Sequence, residues 1–178
     1  MRAAKTDMLQ GFRYHVTANI PGQSDPLQTV PNSDRADYAT KGAAGFQSVT
    51  IPEISVEASE YREGIFKYTQ KYPGPPTITE VTLMRGVTKR DTAFFDLVMA
   101  SIDGKEYRAD VTIYHYARDE MGLANAVETP SSVRRIICRE AFAIRAKPEG
   151  DLDSMAGDVS LAEVDLAIES FELKPEGD

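Results

Sequence analysis

Apolar and polar residues alternate with a period of two along most of this chain, which predicts strands rather than helices. Residues 12–20 set Phe12, Tyr14, Val16 and Ala18 against Arg13, His15, Thr17 and Asn19, a first strand. Residues 44–51 and 54–62 are two further strand segments separated by Pro52, which has no N–H to give a ladder and so marks a bend or an edge. In the second of them Ile54, Val56 and Ala58 share one side, and Ser55, Glu57 and Ser59 the other. Residues 77–84 resume the alternation, with Ile78, Glu80, Thr82 and Met84 opposite Thr79, Val81 and Leu83. Residues 106–116 place Ala109, Val111 and Ile113 opposite Asp110, Thr112 and Tyr114. Residues 133–147 predict one long strand or a bent pair, with mixed faces. The clearest two-sided pattern comes last, over residues 160–173: Ala162, Val164, Leu166 and Ile168 face one way, Glu163, Asp165 and Glu169 the other. That is the signature of a half-buried antiparallel strand with an acidic outer face.

One stretch breaks the rule of two. Phe94, Leu97 and Val98 recur at i, i+3 and i+4, and Met99 and Ile102 extend that face, so a helix is predicted. Thr88 or Asp91 can accept hydrogen bonds from its first turn, and Asp103-Gly104 ends it, Gly104 suiting the left-handed cap. Residues 21–42 carry Pro21, Gly22, Pro26, Pro31, Asn32, Ser33 and Asp34, which supply turns and remove donors. They predict a surface loop long enough to be a decoration or contact arm. Residues 118–132 predict a second loop, and Pro73-Gly74-Pro75-Pro76 a rigid connector between strands. The expected class is therefore mainly β: an antiparallel β-barrel or sandwich with one flanking α-helix and long loops.

Size and charge narrow the function. A chain of 178 residues favours one domain over two, here spanning 1–178. A net charge of −8 argues against wrapped or groove-bound nucleic acid, which needs a surplus of Lys and Arg on one face; Arg134-Arg135 and Lys89-Arg90 are too short to reverse it. One cysteine, Cys138, excludes an intrachain disulfide. No apolar run approaches the ~20 residues that span a bilayer, and Met1 to Asp7 has no apolar stretch behind it, so neither membrane anchor nor secretion signal is expected.

Chemistry finds little support. His15 and His115 lie in different strands without a paired-ligand spacing, and a zinc site needs three or four ligands. Cys138 next to Arg139 suits a reactive thiol, but Ile136 and Ile137 beside it favour an inert core position. Asp151 with Asp153 and Glu163 with Asp165 are acid pairs of the kind glycoside hydrolysis or Ca²⁺ binding uses, without a diagnostic spacing. No phosphate-binding glycine loop or nucleophile elbow is present, so no cofactor, no metal and no catalytic residue is expected. Tyr68, Tyr72, Tyr114 and Tyr116 suit packing or an interface.

Three spaced motifs carry a more specific signal: Ala44-Gly45-Phe46-Gln47-Ser48-Val49, then Glu60-Tyr61-Arg62-Glu63-Gly64, then Leu83-Met84-Arg85-Gly86-Val87-Thr88 ahead of the helix. In this order, and with the closing Ile168-Glu169-Ser170-Phe171-Glu172-Leu173, they resemble the tail-tube protein family of contractile-tailed bacteriophages and related injection machines. Residues 21–42 and 118–132 are longer than is usual for that family, and residues 139–148 match only loosely.

The resemblance implies a structural subunit, not an enzyme: six copies closing into a ring, and rings stacking into a hollow tube in a virion tail assembled in the host cytoplasm. It implies sheath, baseplate and tail-terminator proteins as partners, with DNA passing through without specific binding. Glu57, Glu163, Asp165 and Glu169 are the candidates for the lumen, since each lies opposite an apolar strand face, although outer solvent would produce the same alternation. Tyr61, Arg62, Glu63, Lys67 and Lys71 are the candidates for contacts between subunits, where charges set register more than affinity. Two other readings remain: the inner tube of an injection or secretion device that delivers protein, and a monomeric β-barrel with a ligand in its interior.

Overall fold

Among the described residues the alternation resolves into nine strands and one helix: β1 (Tyr14–Asn19), β2 (Phe46–Val49), β3 (Ile54–Tyr61), β4 (Gln70–Ile78), β5 (Val81–Gly86), α1 (Ala93–Ile102), β6 (Ala109–His115), β7 (Arg134–Lys147), β8 (Leu161–Ala167) and β9 (Ser170–Lys174). The structure, a computed structural model, describes residues 11, 14–19, 45–64, 67–88, 91–116, 134–150, 152 and 159–175. The loops expected over 21–42 and 118–132, Lys89-Arg90 and the pair Asp151 with Asp153 lie outside them.

Seven strands form one antiparallel sheet in the order β1-β6-β7-β8-β5-β2, with β9 paired to β7. β7 organises it. One edge of β7 pairs first with β9 and then with β8, so β8 and β9 act as one broken partner along its length. The single strand expected over 160–173 therefore exists as two, interrupted at Ile168-Glu169. The break lies opposite Glu140, whose φ of 53° puts a residue with a Cβ in left-handed space and bends β7 at the same level. Asp110 braces that corner: its carboxylate accepts the Glu140 amide at 3.2 Å and Arg139 Nη1 at 2.6 Å.

Bending rolls the sheet around its apolar face. Val16, Ala18, Val81, Leu83, Val111, Ile113, Cys138, Val164 and Leu166 are buried together, and α1 adds Phe94 and Leu97 to the same core. Each fully buried Val or Leu is worth about 1.5–3 kcal/mol relative to exposure. The roll brings the two edge strands near each other, and Tyr14 Oη donates to the Phe46 carbonyl at 3.1 Å. A side chain, not a ladder, thus ties β1 to β2, and the barrel stays open. Gly104, at φ +68°, closes α1 as its sequence requires, whereas Ile102 is left exposed instead of extending the helix's apolar face.

The remaining strands, β3 and β4, form a separate two-stranded hairpin. Here the sequence expectation fails. Pro73-Gly74-Pro75-Pro76 is not a connector but the middle of β4, and the strand expected over 77–84 is divided between β4 and β5 at Thr79-Glu80. Prolines are tolerated because β4 has a partner on one side only, and a bulge between Val56 and Ala58 absorbs the missing donors. Gly74 is required by close approach: a Cβ there would stand 2.7 Å from the Glu57 carbonyl oxygen.

Candidate assembly surfaces

The hairpin is the most conspicuous surface. All eight residues of β3 are exposed, including Ile54 and Val56, so its two chemical faces do not correspond to a buried and a solvated side. An isolated pair of strands is marginally stable at best. At its base the Thr79 amide donates to the Glu53 carbonyl at 3.0 Å, and the Glu53 amide donates to Thr79 Oγ1 at 2.8 Å. Along it Lys71 Nζ lies 3.4 Å from Glu60, a solvated pair worth at most about 1 kcal/mol. Tyr61, Arg62, Glu63 and Lys67 are gathered around the turn with Tyr68, whose ring carries Lys67 Nζ 5.8 Å from its centre. The five residues expected to make contacts are therefore on one projecting element.

The four acidic candidates are not one constellation. Glu57 stands on the hairpin, apart from the rest. Glu163 and Asp165 alternate with Ala162, Val164 and Leu166 on β8, on the face turned away from the core. Arg145 of β7 reaches both, at 2.9 Å to Glu163 and 2.7 Å to Asp165, and Thr82 Oγ1 of β5 donates to Asp165 at 2.8 Å. Glu169 sits at the corner, where Arg108 pairs with it and lies 3.5 Å from Glu140. Sequence reasoning missed both arginines, because their partners become visible only once the strand register is known.

Burial pushes the Asp165 carboxyl up, but the hydrogen bonds from Arg145 and Thr82 and the Arg145 charge outweigh it and hold the group below its ordinary value. A carboxylate held low in the folded state adds stability above its unfolded value, near 4, and that stability is lost as pH falls through the folded value. Asp165→Asn is therefore expected to lower the Tm by about 2–4 °C at pH 7. The gap between variant and wild type should close in scans taken progressively below pH ~4. A gap that persists unchanged at pH ~2 would show that the carboxylate charge contributes nothing.

Arg85 is the residue whose sequence signal was present and unused. It continues the Val81, Leu83 face of β5 and is fully buried. Its guanidinium pairs with Asp91 and lies 4.3 Å from the centre of the Phe94 ring and 5.9 Å from that of Phe46. Asp91 Oδ1 also accepts the Ala93 amide at 3.2 Å, so one carboxylate caps α1 and fixes it to the end of β5. Burial pushes the Arg85 guanidinium down from its ordinary value, and Asp91 opposes the shift. Cys138 is buried as expected, its thiol pushed up to about 11 by burial.

No curated protein sequence matches this chain. Among solved structures, the sheath–tube complex of an extracellular contractile injection system, PVC, in its extended state contains a chain similar at 19% identity and TM-score 0.68, covering 96% of this chain and 94% of that one. The tube-terminating cap of the anti-feeding prophage contains another at 16% identity and TM-score 0.69, covering 98% and 96%. An Hcp protein shares the fold at 8% identity and TM-score 0.55, covering 92% of each chain. The T4-like virus tail tube protein gp19 family matches residues 11–172. A bent seven-strand sheet, a helix locked to it by Arg85 and Asp91, and a hairpin standing clear of the core are thus the form taken here by a family identifiable from sequence, and this chain belongs to the T4-like virus tail tube protein gp19 family.

Proposed function

We propose that this protein is the structural subunit of a phage tail tube, closing as hexameric rings that stack into a hollow conduit for DNA. The observation that carries the reading is the β3–β4 hairpin in a chain of the tail tube family: its apolar and aromatic side chains are exposed in the single subunit, and a neighbouring copy would cover them. Tyr61, Arg62, Glu63, Lys67 and Lys71 make that contact. A sixfold ring accords with the sixfold-symmetrised baseplate of the anti-feeding prophage, which contains a chain of similar fold at 16% identity and TM-score 0.66. Sheath, baseplate and terminator proteins are the partners, and the protein works in the tail of a virion or of a phage-tail-like particle.

The solvated face of β8 lines the bore in this reading. Arg145 offsets part of the charge of Glu163 and Asp165, which leaves the face weakly acidic and unattractive to phosphate without a dense negative wall. Glu169 continues that face at the corner, and Glu57, the fourth candidate for the bore, stands on the hairpin.

Negative-stain electron microscopy of the purified, concentrated protein, with and without fragments of disrupted tails as seeds, tests this. Hollow filaments or six-fold rings are the expected result, and a density map of them reads directly which carboxylates face the bore. Compact monomers under both conditions would remove the tube reading and return the monomeric ligand-binding barrel. A second reading, delivery of protein in place of DNA, draws on the extracellular contractile injection system whose sheath–tube complex contains a chain of this fold. The contents of isolated particles separate the two.

A further inference from the structure

We infer that β2 is a strap that opens ahead of the rest of the sheet, uncovering the Arg85 guanidinium and one edge of β5. The strand is built to be separable. It is a four-residue edge, it pairs with β5 alone, and Gln47 is an extra residue that breaks its ladder between Phe46 and Ser48. Its two ends are held unequally. Beyond Val49 the chain stays on β5, the Thr50 amide donating to the Thr82 carbonyl at 2.9 Å. At Phe46, on the other side of the bulge, the tie to β1 is the hydrogen bond from Tyr14 Oη at 3.1 Å.

What the strap covers gives it a reason to open. Phe46 is the ladder partner of Arg85 and lays its ring 5.9 Å from that guanidinium, stacked on Phe94 with the ring centres 6.4 Å apart. With the strap shut, Arg85 is fully buried, and its Nε and Nη1 have no hydrogen-bond partner among the described residues. Buried donors left unpaired cost more than a made hydrogen bond returns. Swinging Phe46 aside gives up the more distant ring and admits water to both nitrogens. The Asp91 carboxylate and the Phe94 ring, 4.3 Å away on α1, stay in place, so the cation keeps its stronger partners. The opposing cost is small for a sheet: one edge ladder already interrupted, and a Phe46 ring that is only partly buried. Opening also leaves the Arg85 end of β5 paired with β8 alone, so the strap decides whether that edge is covered.

Two internal reporters separate strap opening from unfolding. Phenylglyoxal modifies an arginine once its guanidinium can be reached, and Cys138, fully buried in the core, meets N-ethylmaleimide only when the core itself opens. Digestion and mass spectrometry follow both reactions over a urea series below the unfolding transition. Arg85 is expected to react with little dependence on urea, while Cys138 reacts along the steep slope of global unfolding. Tyr14→Phe, which removes only the latch, should speed the Arg85 reaction about fivefold and keep its shallow slope. Without label, amide exchange over residues 46–49 should slow about fivefold in the double variant Arg85→Met with Asp91→Ala, which has no guanidinium to hydrate. Arg85 and Cys138 reacting in step at every urea concentration would overturn the strap. An Arg85 rate unchanged by Tyr14→Phe would overturn the latch, and exchange no slower in the double variant would overturn Arg85 as the cause of opening.

Discussion

Asp91→Ala is expected to destabilise the subunit by about 3–5 kcal/mol, because it leaves the Arg85 guanidinium buried without its counter-charge. For a chain of this size that is a fall in Tm of roughly 6–20 °C. Part of the loss comes from the helix cap, since the same carboxylate accepts the Ala93 amide, and a lost cap costs about 0.5–2 kcal/mol. Asp91→Asn separates the two contributions by keeping an acceptor and deleting the charge. The double variant Arg85→Met with Asp91→Ala should recover most of the stability, because an apolar chain of similar length between Phe46 and Phe94 needs no partner. Thermal unfolding of the four proteins checks this. A loss below about 1 kcal/mol for Asp91→Ala would mean that water reaches Arg85 and that the pair does not anchor α1.

Excising residues 55–77 and joining Ile54 to Ile78 through Asn-Gly should abolish tube formation while leaving the subunit folded. Ile54 and Ile78 are ladder partners, so a two-residue turn spans them, and both hydrogen bonds between Glu53 and Thr79 remain. No residue of β3 is buried, so the core loses nothing and the Tm should stay within about 3 °C. Circular dichroism reads the first outcome and electron microscopy the second. Tubes of normal length from the excised chain would show that the hairpin is not an assembly element. Failure of the excised chain to fold would show that it is a folding element instead.

Much of this fold was legible because most strands bury one face and period two reports that directly. Val16 and Ala18, then Ala109, Val111 and Ile113, then Ala162, Val164 and Leu166 are inward as their alternation requires. The hairpin was misjudged for the same reason. Its residues alternate, but nothing in the subunit covers either face, and prolines that exclude a central strand are admissible on a strand with one neighbour. At the candidate surfaces, the sequence marked the carboxylates but not Arg145 and Arg108, whose partners Glu163 and Glu169 lie 18 and 61 residues further along the chain. Arg85 was readable in principle, two positions beyond Leu83 on an inward face. A charge on such a face predicts a buried partner, and Asp91 is the nearest acid that follows.

The three prolines among the nine residues of β4 also bear on the subunit before it assembles. An exposed two-stranded ribbon is a template on which any extended chain can add, and such growth ends in amorphous or amyloid-like material. Pro73, Pro75 and Pro76 withdraw donors from that strand, and the bulge opposite them breaks the regular spacing a foreign strand would need. A concentrated pool of free subunits is thereby protected from indiscriminate strand-to-strand growth, and association is left to side chains, which can tell a correct neighbour from a wrong one.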